Sequence, residues 1–421
     1  MFKFLLFLSF YLPVGIALNP SEGVDLSSIR VLIIGFFLFW VLGGLRNKKI
    51  FIKANLGTAL VVIFLFLSVF SAFWARNTDW SLRKLAFLFS IFPLYFITSQ
   101  LVDSREKMEK VIKALVLGGL VVSVVAIFEF FLQFVLGIDR TYQLWAKYIT
   151  PVFLGNTFSA AVLENPSWLV NVSGHTYLRA IGLFPDPHMF SFFLGILIPL
   201  ALGLFMKLKI KAYLFIFCIL LLADFLTFSR GGYLGLFIGA AFLVIFFWSK
   251  AGQKFKIASV AMAISIACIV LIPNPISVRL LSSFNLKEGS NEGRLEMWKK
   301  AGDVTRDYSL LGVGIGNYPL TVKPTADYRE PIYAHNTYLD ISAETGIINA
   351  LAWISLLSFS IVTFMRKSKE DFLYLFLAAS LLIFSVHSVF ETGIYSPVVL
   401  SLVLIILSFN GINALKNEEN P

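Results

Sequence analysis

The sequence predicts an all-α integral membrane protein with about 12 transmembrane helices. Hydrophobic residues make up 58% of the 421 residues, charged residues only 14%, and the mean hydropathy is +0.81. Soluble domains average about 45–50% apolar and about 25% charged residues. The apolar residues also cluster in long uncharged runs, as transmembrane helices require. The net charge of +10 concentrates in connectors between these runs, so it indicates membrane topology rather than nucleic-acid binding.

The apolar runs define the predicted spans in chain order. Residues 3–18 resemble a signal peptide, but no A-x-A-like cleavage site follows, so we expect a helix there. Several runs are shorter than the roughly 20 residues that cross the hydrocarbon core, so their boundaries are approximate. The predicted spans are 3–18, 31–45, 57–74, 85–101, 112–136, 189–206, 212–228, 232–248, 257–273, 348–365, 372–389 and 396–414.

Basic residues alternate between successive connectors and assign the sides of the membrane. Five connectors together carry 17 Lys and Arg, whereas the four short connectors on the other side carry 5. Because Lys and Arg accumulate on the cytoplasmic side, both termini are predicted to be cytoplasmic. The five basic connectors are 46–53, 103–113, 207–211, 249–256 and 366–371, and the four outer ones are 19–30, 75–84, 229–231 and 390–395.

Two long segments are predicted to lie outside, where long loops escape the charge rule. They divide the chain into five parts. These are helices 1–5 (1–136), a first outer loop (137–188), helices 6–9 (189–273), a large outer loop (274–347) and helices 10–12 (348–421).

The large loop ends in His335-Asn336, just before the tenth span. An imidazole there is positioned for proton transfer at the membrane surface, since its ordinary pKa of about 6.5 lies near working pH. Arg230 lies in a three-residue connector, and Arg294 begins a helix predicted over 293–305. Guanidinium groups bind phosphate oxygens through paired hydrogen bonds, so both arginines are candidates for an anion site. The alternatives are interfacial snorkelling for Arg230 and a solvated or capping charge for Arg294.

Other polar residues flank this region. Arg179 and Asp186 precede the sixth span, and Asp186 alternatively caps the helix that follows it. His387 and Glu391 flank the outer end of the eleventh span, where they either line the same cavity or have a structural role.

Two features of the large loop are predicted to be structural. In the loop helix, Leu295, Trp298 and Ala301 share one face that is expected to pack against the membrane domain. The glycine-rich run 311–317 lacks the strand–helix frame of a dinucleotide loop, so it is interpreted as tight backbone packing. The sequence shows no metal-ligand spacing, and its two cysteines, Cys218 and Cys268, are predicted to be buried in apolar runs.

Four motifs stand out on the predicted outer side of the membrane. They are His335-Asn336 followed after nine residues by Gly346, Ser229-Arg230-Gly231, Gly293-Arg294 with Trp298, and Arg179 with Phe184 and Pro187. Their order and sidedness resemble the O-antigen ligase superfamily, which includes O-antigen polymerases. The topology extends the resemblance over the whole chain. The chain departs from the ligase pattern at Asn349, where the family has a small or hydroxyl residue.

The resemblance implies a membrane-embedded, GT-C-like glycosyltransferase of the bacterial inner membrane, with its site facing the periplasm. It implies a glycan donor on undecaprenyl diphosphate, inversion at the anomeric carbon, and neither cofactor nor metal. The acceptor is a sugar hydroxyl, on lipid A–core for a ligase or on another lipid-linked glycan for a polymerase. His335 is then the base, and Arg230 and Arg294 stabilise the leaving diphosphate. The candidate substrate-binding residues are Arg179, Asp186, Asn336, Tyr338, His387 and Glu391.

Two other functions stay open on the sequence alone. A transporter of a small anion is the first, although the halves show no clear repeat and the intramembrane carboxylates Glu129 and Asp224 stand alone. The second is a non-catalytic assembly protein, in which His335 and the arginines would be dispensable.

Overall fold

The computed structural model describes residues 1–21, 24–48, 52–164, 167–172, 174–248, 289–328, 330 and 332–412. These residues are mostly helical, as the sequence predicts. The helices of the first half are α1 (Phe2–Tyr11), α2 (Ser28–Asn47), α3 (Leu56–Ser71), α4 (Thr78–Ile91), α5 (Pro93–Leu101), α6 (Arg105–Leu136), α7 (Ile138–Leu144), α8 (Thr150–Leu154) and α9 (Asn156–Glu164). Those of the second half are α10 (Pro187–Leu208), α11 (Lys211–Phe225), α12 (Arg230–Trp248), α13 (Gly289–Asp307), α14 (Tyr318–Val322), α15 (Thr337–Thr345), α16 (Ile347–Lys367), α17 (Leu373–His387) and α18 (Pro397–Ser408).

Within the described residues, 7 helical segments are long and apolar enough to cross a membrane, so the chain has the composition of a multi-pass membrane protein. They are Ser28–Asn47, Leu56–Trp74, Thr78–Leu101, Arg105–Leu136, Pro187–Leu208, Arg230–Phe247 and Ile347–Lys367, with the shorter apolar helices Phe2–Val14, Leu373–His387 and Pro397–Gly411. The predicted ninth span, 257–273, and residues 274–288 of the large loop lie outside the described residues. The count of 12 spans therefore stays a prediction.

Helices α10 and α18 form the centre of the bundle. In α10, 83% of the residues in the most apolar 18-residue stretch are buried. This helix packs against α6, α11, α12 and α17. Residues 399–408 of α18 are all buried. Helices that are apolar on every side belong in a core, whereas the partly exposed α2 and α3 present apolar faces outward. The amino end of the central α10 carries part of the candidate site.

Three of the predicted cytoplasmic connectors meet at one end of the bundle. Lys207 Nζ lies 2.5 Å from Asp371 Oδ2 and 3.1 Å from Glu109 Oε2. Arg105 pairs with Glu370 nearby. Connectors 103–113, 207–211 and 366–371 therefore share one end, as the charge alternation predicts.

The four short outer connectors share the opposite end. Each of them contacts one of the two long segments that are predicted to lie outside. The contacting pairs are Asp25 with Phe158, Ser229 with His188, Asn77 with Asn317, and Glu391 with His335. This grouping matches the predicted alternation, and the identity of the end that faces the cytoplasm stays a prediction.

The glycine-rich run packs closely against the connector between α3 and α4, which confirms its structural interpretation. Gly312, Gly314 and Gly316 have φ of 67°, 93° and 80°, in the region that favours glycine. A Cβ on Gly314 would lie 2.6 Å from Ala75 Cβ. Asn317 completes the contact, because its Oδ1 accepts from Asn77 N at 2.7 Å. The large loop is thereby fixed to the amino-terminal helices.

Three details differ from the sequence predictions. Two small antiparallel hairpins accompany the helices: β1 (Ala17–Ser21) with β2 (Val24–Ser27), and β3 (Leu169–Val172) with β4 (His175–Leu178). Cys218 is exposed rather than buried, since it lies on an outward-facing side of α11. Leu295 is 45% exposed while Ala301 is fully buried, so Leu295 lies at the edge of the packing face rather than within it.

Candidate active site

The motif His335-Asn336 with Gly346 is built around one short helix. Asn336 is the N-cap of α15, and its Oδ1 accepts hydrogen bonds from Tyr338 N at 3.0 Å and Leu339 N at 3.1 Å. Gly346 ends the helix with φ 88° and ψ 162°, a conformation that is essentially restricted to glycine. The nine residues between Asn336 and Gly346 are therefore the nine residues of α15.

Asn349, where the chain departs from the ligase pattern, is fully buried in α16. Its Nδ2 donates to Thr345 Oγ1 and to Ser68 Oγ, both at 3.0 Å. The amide thus joins α16 to the end of α15 and to α3. These two bonds satisfy the Nδ2 group of the amide.

His335 is paired with Glu391 at the amino end of α15. His335 Nδ1 lies 2.6 Å from Glu391 Oε1, and the side chains are 33% and 8% exposed. His335 has φ 48°, a left-handed conformation that is uncommon outside glycine and is often found at functional sites. Within the described part of the chain, its Nε2 makes no hydrogen bond. Nε2 is therefore the ring nitrogen open to a ligand.

The two partners shift each other's titration. Burial disfavours the charged imidazole, but the charge and hydrogen bond of Glu391 outweigh it, so the pKa of His335 lies above its ordinary value. Burial likewise opposes ionisation of Glu391, but His335 and Arg294 lower the pKa of this carboxyl. The pair thus favours an ionised carboxylate that stabilises a proton on the imidazole.

Asp340, on α15, holds both chain segments that carry this pair. Its Oδ1 accepts from Ala334 N at 2.8 Å, and its Oδ2 accepts from Thr392 Oγ1. Ala334 precedes His335, and Thr392 follows Glu391. The Asp340 carboxylate therefore joins the two chain segments that carry the His335–Glu391 pair. Burial is the main cause that raises the pKa of Asp340, to about 6.

A buried ion pair fixes the other end of α15. Lys84 Nζ lies 2.7 Å from Glu344 Oε2, and the side chains are 14% and 4% exposed. The same ammonium group lies 3.6 Å from the centre of the Tyr395 ring, whose hydroxyl donates to Glu344 Oε2 at 3.3 Å. These contacts tie α15 to α4 and to the turn that follows Glu391.

Arg294 approaches the pair from the loop helix. It lies in the second turn of α13, which begins at Gly289, and is not the first helical residue. Its Nη2 is 3.8 Å from Glu391 Oε2. Four residues on, the Trp298 ring packs against Phe390 with a centroid distance of 6.0 Å. Glu391 therefore stands between the imidazole of His335 and the guanidinium of Arg294.

Arg230 begins α12, which packs against the turn formed by residues 387–391. Its exposed fraction is 7%, so it lies inside the protein rather than snorkelling along a lipid-facing surface. A Cβ on Gly231 would lie 2.8 Å from His387 Cδ2 and 3.1 Å from Phe390 Cβ. The backbone of the Arg230 motif is therefore packed on the turn that carries Glu391.

A buried serine joins two histidines beside Arg230. Ser229 Oγ lies 3.1 Å from His188 Nδ1 and 3.3 Å from His387 Nε2. The His387 ring stacks on Phe192 at a centroid distance of 3.7 Å. The predicted residue His387 thus connects α17 to α10 and α12.

Arg179 bridges two backbone segments. Its Nε donates to Thr227 O at 2.7 Å and its Nη1 donates to Ser167 O at 3.2 Å. Nearby, Glu129 Oε2 accepts from Ile181 N and Gly182 N at 3.1 and 2.7 Å. These contacts hold the segment before α10 against α6 and the Arg230 motif.

Asp186 and Tyr338 also bond to backbone. Asp186 caps α10, since its Oδ1 accepts from His188 N at 2.8 Å and Met189 N at 2.9 Å. Burial and the charge of Glu391 raise the pKa of Asp186 to about 6, so the two carboxylates influence each other. Tyr338 OH donates to Ser385 O at 2.8 Å.

Most of the predicted candidates are therefore gathered around the 387–391 turn, whereas Arg179 bonds to Thr227, close to the Arg230 motif. Asp340, Lys84 and Glu344 were not predicted from the sequence as site residues. Asp340 and Glu344 both lie in the helix that begins after His335-Asn336. Their closeness to this motif in the chain was the one sequence feature that pointed to them. Among the described residues, no group of three or more His, Cys, Asp or Glu side chains is arranged to hold a metal ion.

The fold and site define a class: a helical, multi-pass membrane protein with a histidine–carboxylate pair beside arginines at one end of the bundle. Residues 213–354 match the family model Wzy_C, described as O-antigen ligase, which confirms the resemblance to the O-antigen ligase and polymerase superfamily. The match supports an enzyme of this type at the family level. It includes Arg230, Arg294 and His335 and ends before Glu391. No curated protein matches the chain.

Proposed function

We propose that this protein is an inverting glycosyltransferase that moves a glycan from undecaprenyl diphosphate to a sugar hydroxyl. The site faces the periplasm from the bacterial inner membrane, and the termini are cytoplasmic. The acceptor is lipid A–core for a ligase or a second lipid-linked glycan for a polymerase. The observation that carries the proposal is the His335–Glu391 pair, with Arg294 3.8 Å from the same carboxylate.

The arginines act on the leaving group. As the bond between the anomeric carbon and the diphosphate oxygen breaks, negative charge grows on the diphosphate. Fixed guanidinium groups stabilise that charge in the transition state, and they have no need of a metal ion for it. Arg294 and Arg230 approach the 387–391 turn from α13 and α12, so they are assigned this role.

His335 acts on the acceptor. The acceptor oxygen attacks the anomeric carbon while its proton passes to His335 Nε2, and undecaprenyl diphosphate departs from the opposite face. Glu391 accepts the hydrogen bond of Nδ1–H, which leaves the Nε2 lone pair directed to the acceptor. The carboxylate also stabilises the imidazolium that forms, the role an acidic partner has in a catalytic triad.

The remaining candidates support this geometry. Arg179, Asp186, Asn336 and Tyr338 bond to backbone groups, and His387 bonds to Ser229. We assign them to the shape of the site, in which the sugar and diphosphate are held between α10, α12, α13 and α15. Apolar surface between the helices accommodates the polyprenyl chain.

The direct test is transfer in proteoliposomes that contain a defined oligosaccharide on undecaprenyl diphosphate. Lipid A–core and a second lipid-linked oligosaccharide are supplied as acceptors in separate reactions. A glycosylated lipid A–core would identify a ligase, and a lengthened lipid-linked glycan a polymerase. Excess EDTA is expected to leave the rate unchanged. Folded protein that transfers to neither acceptor would contradict the proposal.

Arginine variants test the role of charge in the same assay. Arg294→Ala and Arg230→Ala are expected to slow transfer on the order of 10²–10³-fold, the usual effect of removing a group that stabilises transition-state charge. Arg306→Ala is the matched control, because Arg306 lies on the same helix as Arg294 with its side chain 74% exposed. Equal rates in Arg294→Ala and Arg306→Ala would remove Arg294 from the mechanism.

A further inference from the structure

A patch of exposed apolar side chains follows α13 in the large outer segment. Leu310 is 64% exposed, Tyr308 53% and Leu311 40%. Residues 308–311 contain no charged side chain. Single exposed apolar residues are ordinary, but a contiguous patch marks contact with a partner or a membrane.

The backbone of this patch is fixed to the outer end of α16. Ile347 N donates to Ser309 O at 2.9 Å. Gly346 packs so closely against residues 308–311 that a Cβ on Gly346 would overlap Leu310 O. The adjoining face of α16 is also apolar and exposed, through Ile347 (44%), Ile348 (48%) and Leu351 (55%). The patch is therefore continuous with the outward face of a candidate membrane span.

The opposite side of the patch borders a second candidate span. Trp74, at the outer end of the span Leu56–Trp74, donates from Nε1 to Gly312 O at 3.2 Å. Its neighbour Phe73 is 80% exposed. Tryptophan is enriched where spans pass from the hydrocarbon core to the headgroups. Trp74 therefore indicates that this region lies at the level of the headgroups.

We propose that residues 308–311 insert into the outer boundary of the lipid bilayer between these two spans. Lipid is the occupant because apolar, outward-facing span surface adjoins the patch on both sides. The charged and exposed Arg306 and Asp307 immediately precede the patch, so the chain enters the lipid from the headgroup level.

The insertion would set the depth of α15. Gly312 lies against Glu344 near the end of that helix, and Gly346 lies against Leu310. Leu310 in the lipid boundary therefore holds α15, with His335 at its other end, at a fixed height above the hydrocarbon. Insertion of residues 308–311 does not require the proposed glycan transfer.

The test uses single-cysteine variants of the full chain, in a background with Cys218→Ser and Cys268→Ser. Leu310→Cys and Leu311→Cys are labelled with a nitrobenzoxadiazole fluorophore in phosphatidylcholine–phosphatidylglycerol nanodiscs. Nitroxide lipids labelled near the headgroup end of the acyl chain report insertion, and aqueous iodide reports exposure to water. Leu351→Cys is the lipid-facing control and Asp327→Cys, at an exposed loop position, is the aqueous control.

Insertion predicts that both loop labels are quenched more by nitroxide lipid than by iodide and emit at shorter wavelength than the Asp327→Cys label. Quenching of both labels by iodide alone would overturn the proposal. Protection from both quenchers would also overturn it, since a second copy of the chain or another protein would then cover the patch. Agreement of the two positions excludes an effect of one substitution.

Discussion

His335 and Glu391 are 56 residues apart in the chain and lie 2.6 Å apart in the fold. The carboxylate also lies 3.8 Å from Arg294, so a single acidic group sets both the basicity of the imidazole and the place of a guanidinium. The arrangement depends on α15 and on the 387–391 turn, which other buried groups hold in place.

The pH dependence of transfer should reveal the influence of Glu391. His335 acts as a base only when neutral, so transfer falls as the pH drops through its pKa, which Glu391 raises. Glu391→Gln removes the negative charge, lowers the pKa of His335 and should move the acid limb of kcat/KM to lower pH. The measurement is a pH–rate profile. Glu296→Gln, at a side chain 66% exposed, is the control and should leave the limb in place.

Asp340 should be important both for stability and for rate. Asp340→Ala leaves the buried Ala334 N–H without its acceptor, which should destabilise the fold by about 1–3 kcal/mol. Misplacement of His335 relative to Glu391 should also slow transfer, by up to roughly 100-fold. Thermal unfolding and transfer assays measure the two effects, and Asp340→Asn, which retains one acceptor oxygen, should be milder. Asp303→Ala, at a side chain 47% exposed, is the control; equal behaviour of the two Ala variants would contradict the bridging role.

Gly346 should be intolerant of any side chain. Its φ of 88° and ψ of 162° disfavour alanine by about 1–3 kcal/mol, and the overlap with Leu310 O adds to this cost. Gly302→Ala is a matched control in helix α13, where a Cβ meets no atom within 4 Å. That variant should be unchanged or more stable by about 0.5–1 kcal/mol. Thermal unfolding of both proteins checks the contrast, and equal melting temperatures would contradict it.

The Lys84–Glu344 pair should be costly to break on one side only. Lys84→Met leaves a buried carboxylate without its cation, which should destabilise the protein by about 3–5 kcal/mol. Adding Glu344→Gln to that variant should recover much of the loss. Lys300→Met is the exposed comparison, since the side chains of Lys300 and Glu296 are 51% and 66% exposed. Chemical unfolding measures all four proteins, and no recovery in the double variant would argue against a buried ion pair.

The sequence singled out parts of the site that depend on local chain geometry. The spacing of Asn336 and Gly346 was recognised as a motif, but their roles as the N-cap and the glycine stop of α15 were not predicted, because no helix was expected over 337–345. The glycines of 311–317 were correctly interpreted as packing residues, because their conformations are local too. Three of the five basic connectors, 103–113, 207–211 and 366–371, were also grouped correctly, whereas 249–256 lies outside the described residues.

Long-range partners could not be predicted. Nothing near Glu391 indicates that it pairs with His335 rather than with a sugar, and Lys84 and Glu344 are 260 residues apart. Exposure on individual helices was also missed at Cys218 and Leu295, because an apolar run does not reveal which face meets the core and which faces outward. These features depend on the packing of whole helices.

The most direct test of the central claim compares two histidine variants in single-turnover transfer. His335→Ala removes the proposed base, and His175→Ala removes an exposed imidazole on hairpin β3–β4. With folding confirmed by thermal unfolding, His335→Ala is expected to slow transfer by about 10²–10⁴-fold, the usual contribution of a general base. His175→Ala should turn over at the wild-type rate. A folded His335→Ala protein that transfers glycan as fast as His175→Ala would contradict the account.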